Sequence, residues 1–319
     1  MAISPSNMLT MLEAVGVRED LTDVIYDISP LDTPFISAIG RGKAKQSYHE
    51  WQTSAIKAAV ATNAVIEGLD AATDTSTITV RVGNYCQILD KVARVSGTTE
   101  VVNSAGRKSE MAFQMANRAK EIKRDLECSA SQNKASVAGG TVTTPAARVL
   151  GSSESWITSS SSRGNTGTQG GFASGIVAAP TDGTTRAITE AMLKTVIASV
   201  WDAGGEGQMI LCGPVNKQNI SAFTGGSTRT DKGEDKRLTA AIDVYVSDFG
   251  THRITPSRFC RDRSVQILTP AYWSLAYLRG FRTSPLAKTG DSERKQLLVE
   301  VTLEAKNQAA NGILADLTT

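Results

Sequence analysis

Apolar residues recur between residues 112 and 130 at spacings of three and four: Ala112, Met115, Ala119, Ile122, Leu126 and Ala130. Arg118, Lys120, Glu121, Lys123, Arg124 and Asp125 fill the positions between them. This period predicts an amphipathic helix from Ser109 to about Ser131, free of Gly and Pro. At 1.5 Å per residue it is a rod about 35 Å long. A second stripe (Leu193, Val196, Ile197, Val200, Trp201) predicts a helix over about Thr189–Ala203, which Gly204 and Gly205 can end by adopting positive φ. Elsewhere the period is two. Ile78, Val80 and Val82 oppose Thr77, Thr79 and Arg81; Ile242, Val244 and Val246 alternate, as do Val265 and Ile267. Val299, Val301, Leu303 and Ala305 oppose Glu300, Thr302, Glu304 and Lys306. Further strands are expected at Lys45–Thr53, ending at Trp51, at Gln208–Cys212 and at Trp273–Leu278, with a small helix at Val215–Phe223.

Three segments follow neither period. Residues 1–44 are punctuated by Pro5, Pro30 and Pro34, then Gly40 and Gly42. Prolines lack an N–H and hold their predecessors extended, so only short helical turns fit, around Met8–Ala14 and Asp20–Ile25. The segment reads as an arm laid on other structure. Ala55–Asp74 is an Ala- and Thr-rich excursion between two strands, a hairpin too poor in apolar residues to stand alone. Residues 134–187 are dominated by Gly, Ser, Thr and Ala, which suggests irregular loops with a mobile tip; Trp156, Ile157, Phe172, Ile176 and Val177 imply that parts of it dock. The elements together make a mixed α+β chain.

Composition is ordinary for a globular protein, with 40% hydrophobic and 21% charged residues. The net charge of +2 gives little whole-molecule attraction to nucleic acid or an acidic membrane. Cys86, Cys128, Cys212 and Cys260 are widely spaced and outside any CxxC pattern, which favours free thiols. No secretory leader is expected in MAISPSNMLTML, and no apolar run reaches the roughly 18 residues of a membrane span.

Catalytic chemistry finds no handle. The two histidines are His49, in an alternating strand, and His252, in a turn after Gly250; both read as structural. HExxH, GxSxG and P-loop patterns are missing. Gly164, Gly167 and Gly170 are spaced like a phosphate loop, without the preceding strand and following helix that would aim backbone amides at a phosphate. Glu234 and Asp235 sit in a charged run with Lys232, Lys236 and Arg237, a solvated loop. No cofactor or metal site is expected. An unfamiliar active site around Cys212, Asp248 and His252 stays as the enzymatic alternative. The basic residues of the long helix (Arg107, Lys108, Arg118, Lys120, Lys123, Arg124) read first as a solvent face with pairs such as Lys123–Glu127, and second as weak, sequence-independent contacts to DNA phosphates.

The stretch Asp20-Leu-Thr-Asp-Val-Ile-Tyr-Asp-Ile-Ser-Pro-Leu-Asp-Thr-Pro-Phe35, with Gly40-Arg-Gly-Lys-Ala44 and Glu50-Trp-Gln-Thr53, resembles the opening of a phage major head protein family similar to that of phage SU10. Ala187–Phe223, Val244–Gly250 and Leu297–Leu317 resemble the same family. Ser54 departs from the acidic residue that often follows Trp-Gln-Thr there, which leaves the hairpin contact at that point open. The resemblance implies an HK97-like capsid fold: N-terminal arm (1–44), E-loop region (45–95), P-domain with a spine helix (96–140), α/β A-domain (141–249) and returning P-domain strands (250–319). It implies a major capsid protein of the virion, made in the host bacterial cytoplasm and assembling as pentamers and hexamers into an icosahedral shell around double-stranded DNA. A separate scaffolding protein, a portal and a decoration protein are the further partners implied, and no membrane. Phe35, Arg41, Lys43, Trp51 and Arg81 become candidate inter-subunit contacts, and the basic residues of the long helix become candidate genome contacts. An encapsulin-like nanocompartment, which shares the fold, is the nearest alternative. Some capsids of this fold join subunits by Lys–Asn isopeptide bonds; Lys57 with Asn307 or Asn311 would be the candidates here, with no geometry in the sequence to support them.

Overall fold

The structure, a computed structural model, describes residues 32–68, 70, 76–102, 106–223 and 243–318. The turns expected around Met8–Ala14 and Asp20–Ile25, and the Glu234–Asp235 run, lie outside the described residues.

Along the chain come α1 (Pro34–Ala38), β1 (Gly40–Lys43), β2 (Tyr48–Thr53), β3 (Val80–Tyr85), β4 (Gln87–Ser96), α2 (Gly97–Val101) and α3 (Glu110–Ser131). Then follow α4 (Ser153–Trp156), β5 (Ser160–Ser162), β6 (Gly171–Ala173), β7 (Ile176–Ala178), α5 (Glu190–Asp202), β8 (Met209–Cys212) and α6 (Pro214–Ser221). The last are β9 (Val244–Ser247), β10 (Gly250–Pro256), β11 (Ser264–Leu268), β12 (Trp273–Pro285), β13 (Ser292–Ala305) and β14 (Gly312–Ala315).

Both long helices start where the pattern places them. Ser109 Oγ accepts the Ala112 N–H at 3.2 Å and Thr189 Oγ1 accepts the Met192 N–H at 3.4 Å, each satisfying an orphan donor of a first turn. Helix α3 lies across a four-stranded sheet ordered β1-β12-β13-β4, in which only the β1–β12 pair is parallel. Ile122, Leu297 and Val299 are buried between helix and sheet, with Leu89, Met115 and Ala119 against them. Ala112 is exposed and Met111 is buried in its place, so the stripe begins one residue earlier than expected.

The second sheet has six strands in the order β5-β14-β11-β8-β10-β9. Its central strands are covered on both faces, and the side chains alternate accordingly. Ile210, Cys212, Val265, Ile267 and Leu314 face Leu193, Val196, Ile197 and Val200 of α5. Met209, Leu211, Leu268, Ile313 and Ala315 face a second core with Phe35, Leu126, Trp156, Trp273 and Leu303, which joins the two sheets. Trp201 is not in the α5 stripe; it is exposed and its ring lies 5.3 Å from that of Phe249. From residue 250 the chain serves both sheets: β10, β11 and β14 enter the six-stranded sheet, β12 and β13 the four-stranded one.

The Gly- and Ser-rich stretch is docked along much of its length. Residues 151–157 are all buried. Their hydroxyls are satisfied within the chain: Ser155 Oγ donates to Lys134 O at 2.7 Å and Ser153 Oγ to Gln266 Oε1 at 2.7 Å. The Asp316 carboxylate accepts the N–H groups of Gly164 (3.0 Å) and Gly183 (2.7 Å), pinning the loop that resembled a phosphate cradle. A Cβ on Gly164 would lie 2.0 Å from Thr184 O, so glycine serves backbone approach there.

Candidate functional site

No enzymatic centre assembles from the candidates. Cys212 is buried, and burial pushes its thiol up to about 12. His252 is also buried: Nδ1 is 2.7 Å from Gly207 O and Nε2 2.7 Å from Ser247 Oγ, so both ring nitrogens are committed. The strand register sets Cys212 opposite Pro256, whereas Arg253, next to His252, lies opposite Met209 at the other end of the pair. Asp248 is exposed on the β9–β10 turn. Among the described residues no group of three or more His, Cys, Asp or Glu side chains could hold a metal ion.

One strand pair stands apart from the two larger sheets. Strands β2 and β3 form a two-stranded ribbon in register from Tyr48–Tyr85 to Thr53–Val80. Its base is clamped to the body by Trp51, whose Nε1–H donates to Ala305 O at 3.0 Å and whose ring lies 5.4 Å from that of Trp156. Asn84 adds a buried clamp: its Nδ2 donates to Gly151 O and Leu303 O, and its Oδ1 accepts the Gly151 N–H. His49 Nε2 lies 3.8 Å from Glu304 Oε2 and is the main cause holding that carboxyl below its ordinary range. Past the base the ribbon leaves the body. Ile56, Ile66 and Ile78 are 97%, 77% and 85% exposed. The expected strand 77–82 is displaced to Val80–Tyr85, because residues 77–79 have no partner strand and only the base is paired.

The sequence candidates divide. Arg81 is exposed on the ribbon and pairs with Glu50 at 3.1 Å. Arg41 and Lys43 are exposed on β1, the edge of the four-stranded sheet. Phe35 is different. It is 0% exposed, meets Trp273 edge-on at 6.0 Å, and so cannot reach a neighbour in this arrangement. Trp51 is half-buried in its own chain and holds the ribbon base.

Arg107 and Lys108 precede the N-cap of α3 and so lie off the helix; Arg107 pairs with Glu110, and on the helix Arg118 pairs with Glu121 at 2.7 Å. Arg124 stacks over the Phe259 ring at 5.7 Å. Lys120 is half-buried, while Lys108 and Lys123 are exposed and have no ion-pair partner among the described residues. The expected Lys123–Glu127 pair does not form. Glu127 is buried, and its carboxylate accepts the N–H groups of Phe35 (2.9 Å) and Ile36 (2.8 Å). Burial raises its pKa and the two amides act against that rise. A helix carboxylate thus anchors the first turn of α1, a contact across 92 residues that no local pattern reveals. Asn311 is likewise occupied: Oδ1 accepts the Thr269 N–H and the Trp273 Nε1–H, each at 2.8 Å, which commits its amide to the core.

Comparison with known proteins gives this architecture a context. The family model described as SU10 major capsid protein matches residues 5–318. The major capsid protein of Escherichia phage Phieco32 is 28% identical over 335 aligned residues, covering 94% of both chains. A cyanophage A-1(L) capsid asymmetric unit superposes with a TM-score of 0.62 at 12% identity, covering 98% of this chain and 100% of the other. The capsid of a native GTA particle gives 0.64 at 10% identity over 96% and 97% of the chains, and a Gordonia phage Cozz chain 0.59 at 9% identity over 100% and 98%. At such identities the structures establish the fold, mixed α+β of the HK97-like kind. The family match, spanning nearly the whole sequence, establishes more: the chain belongs to the SU10 major capsid protein family, whose members are structural components of the virion rather than enzymes.

Proposed function

We propose that this chain forms the head shell of a tailed phage by assembling as pentamers and hexamers, with its ribbon lying across a neighbouring subunit. The observation that carries this reading is the ribbon's outer part. A protein that worked as a monomer would have no use for isoleucines standing out in water on an extension without a core. Against a neighbour, each fully buried side chain of this kind contributes about 1.5–3 kcal/mol before ordering costs. Arg81 on the ribbon, and Arg41 and Lys43 on the β1 edge, would supply polar contacts at its margins. The segments 1–44, 45–95, 96–140, 141–249 and 250–319 would then serve as arm, E-loop, spine region, A-domain and returning strands. Lys108, just before α3, and Lys123 on it are the best placed of these basic residues for weak contact with packaged DNA, because the arginines nearby already have partners.

The test is negative-stain electron microscopy of the purified full-length chain across a salt and concentration series, beside the double variant Ile56→Asp, Ile66→Asp. The wild-type chain is expected to give shells, tubes or capsomer rings. The variant should keep its circular dichroism and melting temperature while losing particles. Normal particle yield from a folded variant would remove the ribbon from the assembly mechanism.

A further inference from the structure

The outer ribbon joins apolar side chains to a charged end. Val65 and Ile66 are 69% and 77% exposed, and Glu67 beside them is exposed as well. These residues stand midway along the chain between Thr53 of β2 and Val80 of β3. Gly68, at φ +82°, turns the backbone directly after them. Glu67 and Asp70 make this part of the ribbon acidic. Glu67 has no ion-pair partner among the described residues.

The body of the subunit has a hollow of matching chemistry. Between α1 and the start of β8 lies a groove of about 400 Å³. Pro34, Ala38, Met209 and Pro270 give it apolar walls, and Arg253 and Thr255 of β10 give it a polar side. Arg253 is exposed and has no ion-pair partner among the described residues. A cation at the wall of an apolar groove favours an occupant that brings an aliphatic side chain and a carboxylate together. A second hollow, bounded by Gly97, Thr98, Val101 and Asp291, presents a carboxylate instead and would repel the acidic end of the ribbon. The groove is not filled by the ribbon of its own subunit, on which Val65 and Ile66 stand exposed. Resting on the reading that the ribbon lies across a neighbouring subunit, we propose that Ile66 of a second copy enters this groove while its Glu67 pairs with Arg253. The apolar contact supplies the burial and the charge pair sets the position. One sequence thereby carries both halves of the contact, as an assembly of identical copies requires.

The test mixes two full-length chains at a concentration where oligomers form: Ile66→Cys labelled with nitrogen-15, and Ala38→Cys at natural abundance. Both positions are exposed. After mild oxidation, mass spectrometry of the non-reduced digest is expected to find peptides linked between positions 66 and 38. Their yield should be several-fold above a control mixture in which Lys288→Cys, also exposed, replaces Ala38→Cys. A yield no higher than the control overturns the proposal. Charge reversal gives a second readout. Arg253→Glu and Glu67→Arg should each lower particle yield several-fold in negative stain with circular dichroism unchanged, and both together in one chain should restore it. Full yield from either single variant, or no recovery in the double, also overturns the proposal. The ribbon reading fails separately. If Ile56→Asp, Ile66→Asp loses particles while no link forms between 66 and 38, the ribbon docks on another part of its neighbour; if that variant also assembles normally, the ribbon reading falls too.

Discussion

Replacing Phe35 with alanine is expected to destabilise the unassembled subunit by about 4 kcal/mol. Its ring is 0% exposed and sits among Leu126, Trp273 and Leu303 in the core that joins the two sheets. Truncating a fully buried phenylalanine costs about 3–5 kcal/mol, and the edge contact with Trp273 at 6.0 Å favours the upper part of that range. Against this, α1 has five residues and can relax toward the gap, so the middle value is the fair expectation. With a urea dependence of about 3 kcal/mol per molar, the unfolding midpoint should fall by about 1.3 M. The assay is urea denaturation followed by tryptophan fluorescence, at a concentration where sedimentation shows only monomers. Arg41→Ala, exposed on β1, is the control and should stay within about 0.5 kcal/mol of wild type. A midpoint shift below about 0.3 M for Phe35→Ala would refute the reasoning. It would mean that the ring leaves the core in the free subunit and becomes buried only between subunits.

Four more outcomes can be checked alongside. Trp51→Ala should remain soluble and folded but lose about 2–4 kcal/mol and most particles in negative stain, whereas Trp51→Phe, which keeps the ring and loses the bond to Ala305 O, should lose about 1 kcal/mol. Burial raises the folded pKa of Glu127 above its ordinary 4.5, so the folded subunit takes up this proton more readily than the unfolded chain. The contribution of Glu127 to stability is therefore full below pH 4.5 and falls as pH rises through the folded value; the melting temperature of wild type relative to Glu127→Gln should increase as pH is lowered from 7 toward 4.5. Gly164→Ala should cost about 1–3 kcal/mol in a thermal melt, because the new methyl meets the Thr184 carbonyl oxygen. In Lys108→Gln, Lys123→Gln subunits, the salt slope of DNA binding should be shallower by about 2, one for each lost phosphate contact; an unchanged slope would place the DNA elsewhere.

The helices α3 and α5 were legible because their partners are reached by one apolar face and their caps are local. Strand β4 was not. Ile88 and Val92 point to one face and Leu89, Ala93 and Val95 to the other, with Asp90, Lys91 and Arg94 interspersed, so neither face reads as purely apolar. The Ser-rich turn at 152–155 looked like a linker because hydroxyls signal solvent unless their partners are known. Those partners, Lys134 O and Gln266 Oε1, lie up to 113 residues away. The same holds for Glu127, which the i,i+4 rule would pair with Lys123; the amides of a distant proline-led turn outcompete the lysine. The ribbon, the proposed assembly surface, was only partly visible in the sequence. Trp51 stood out by residue type, but that it faces its own body, and that the outer ribbon carries the free apolar groups, follows only from where the ribbon departs from the sheet.

The position of β14 has a kinetic consequence. Residues 312–315 lie second in the six-stranded sheet, between β5 and β11, and all four are buried. Every other strand of that sheet is translated earlier, yet the sheet stays split until this one arrives. At about 5–20 residues per second, β5 waits roughly 8–30 s for its partner. Throughout that interval β5 has no partner in the six-stranded sheet, and the folding of that sheet ends only when the strand that joins β5 to β11 has been made.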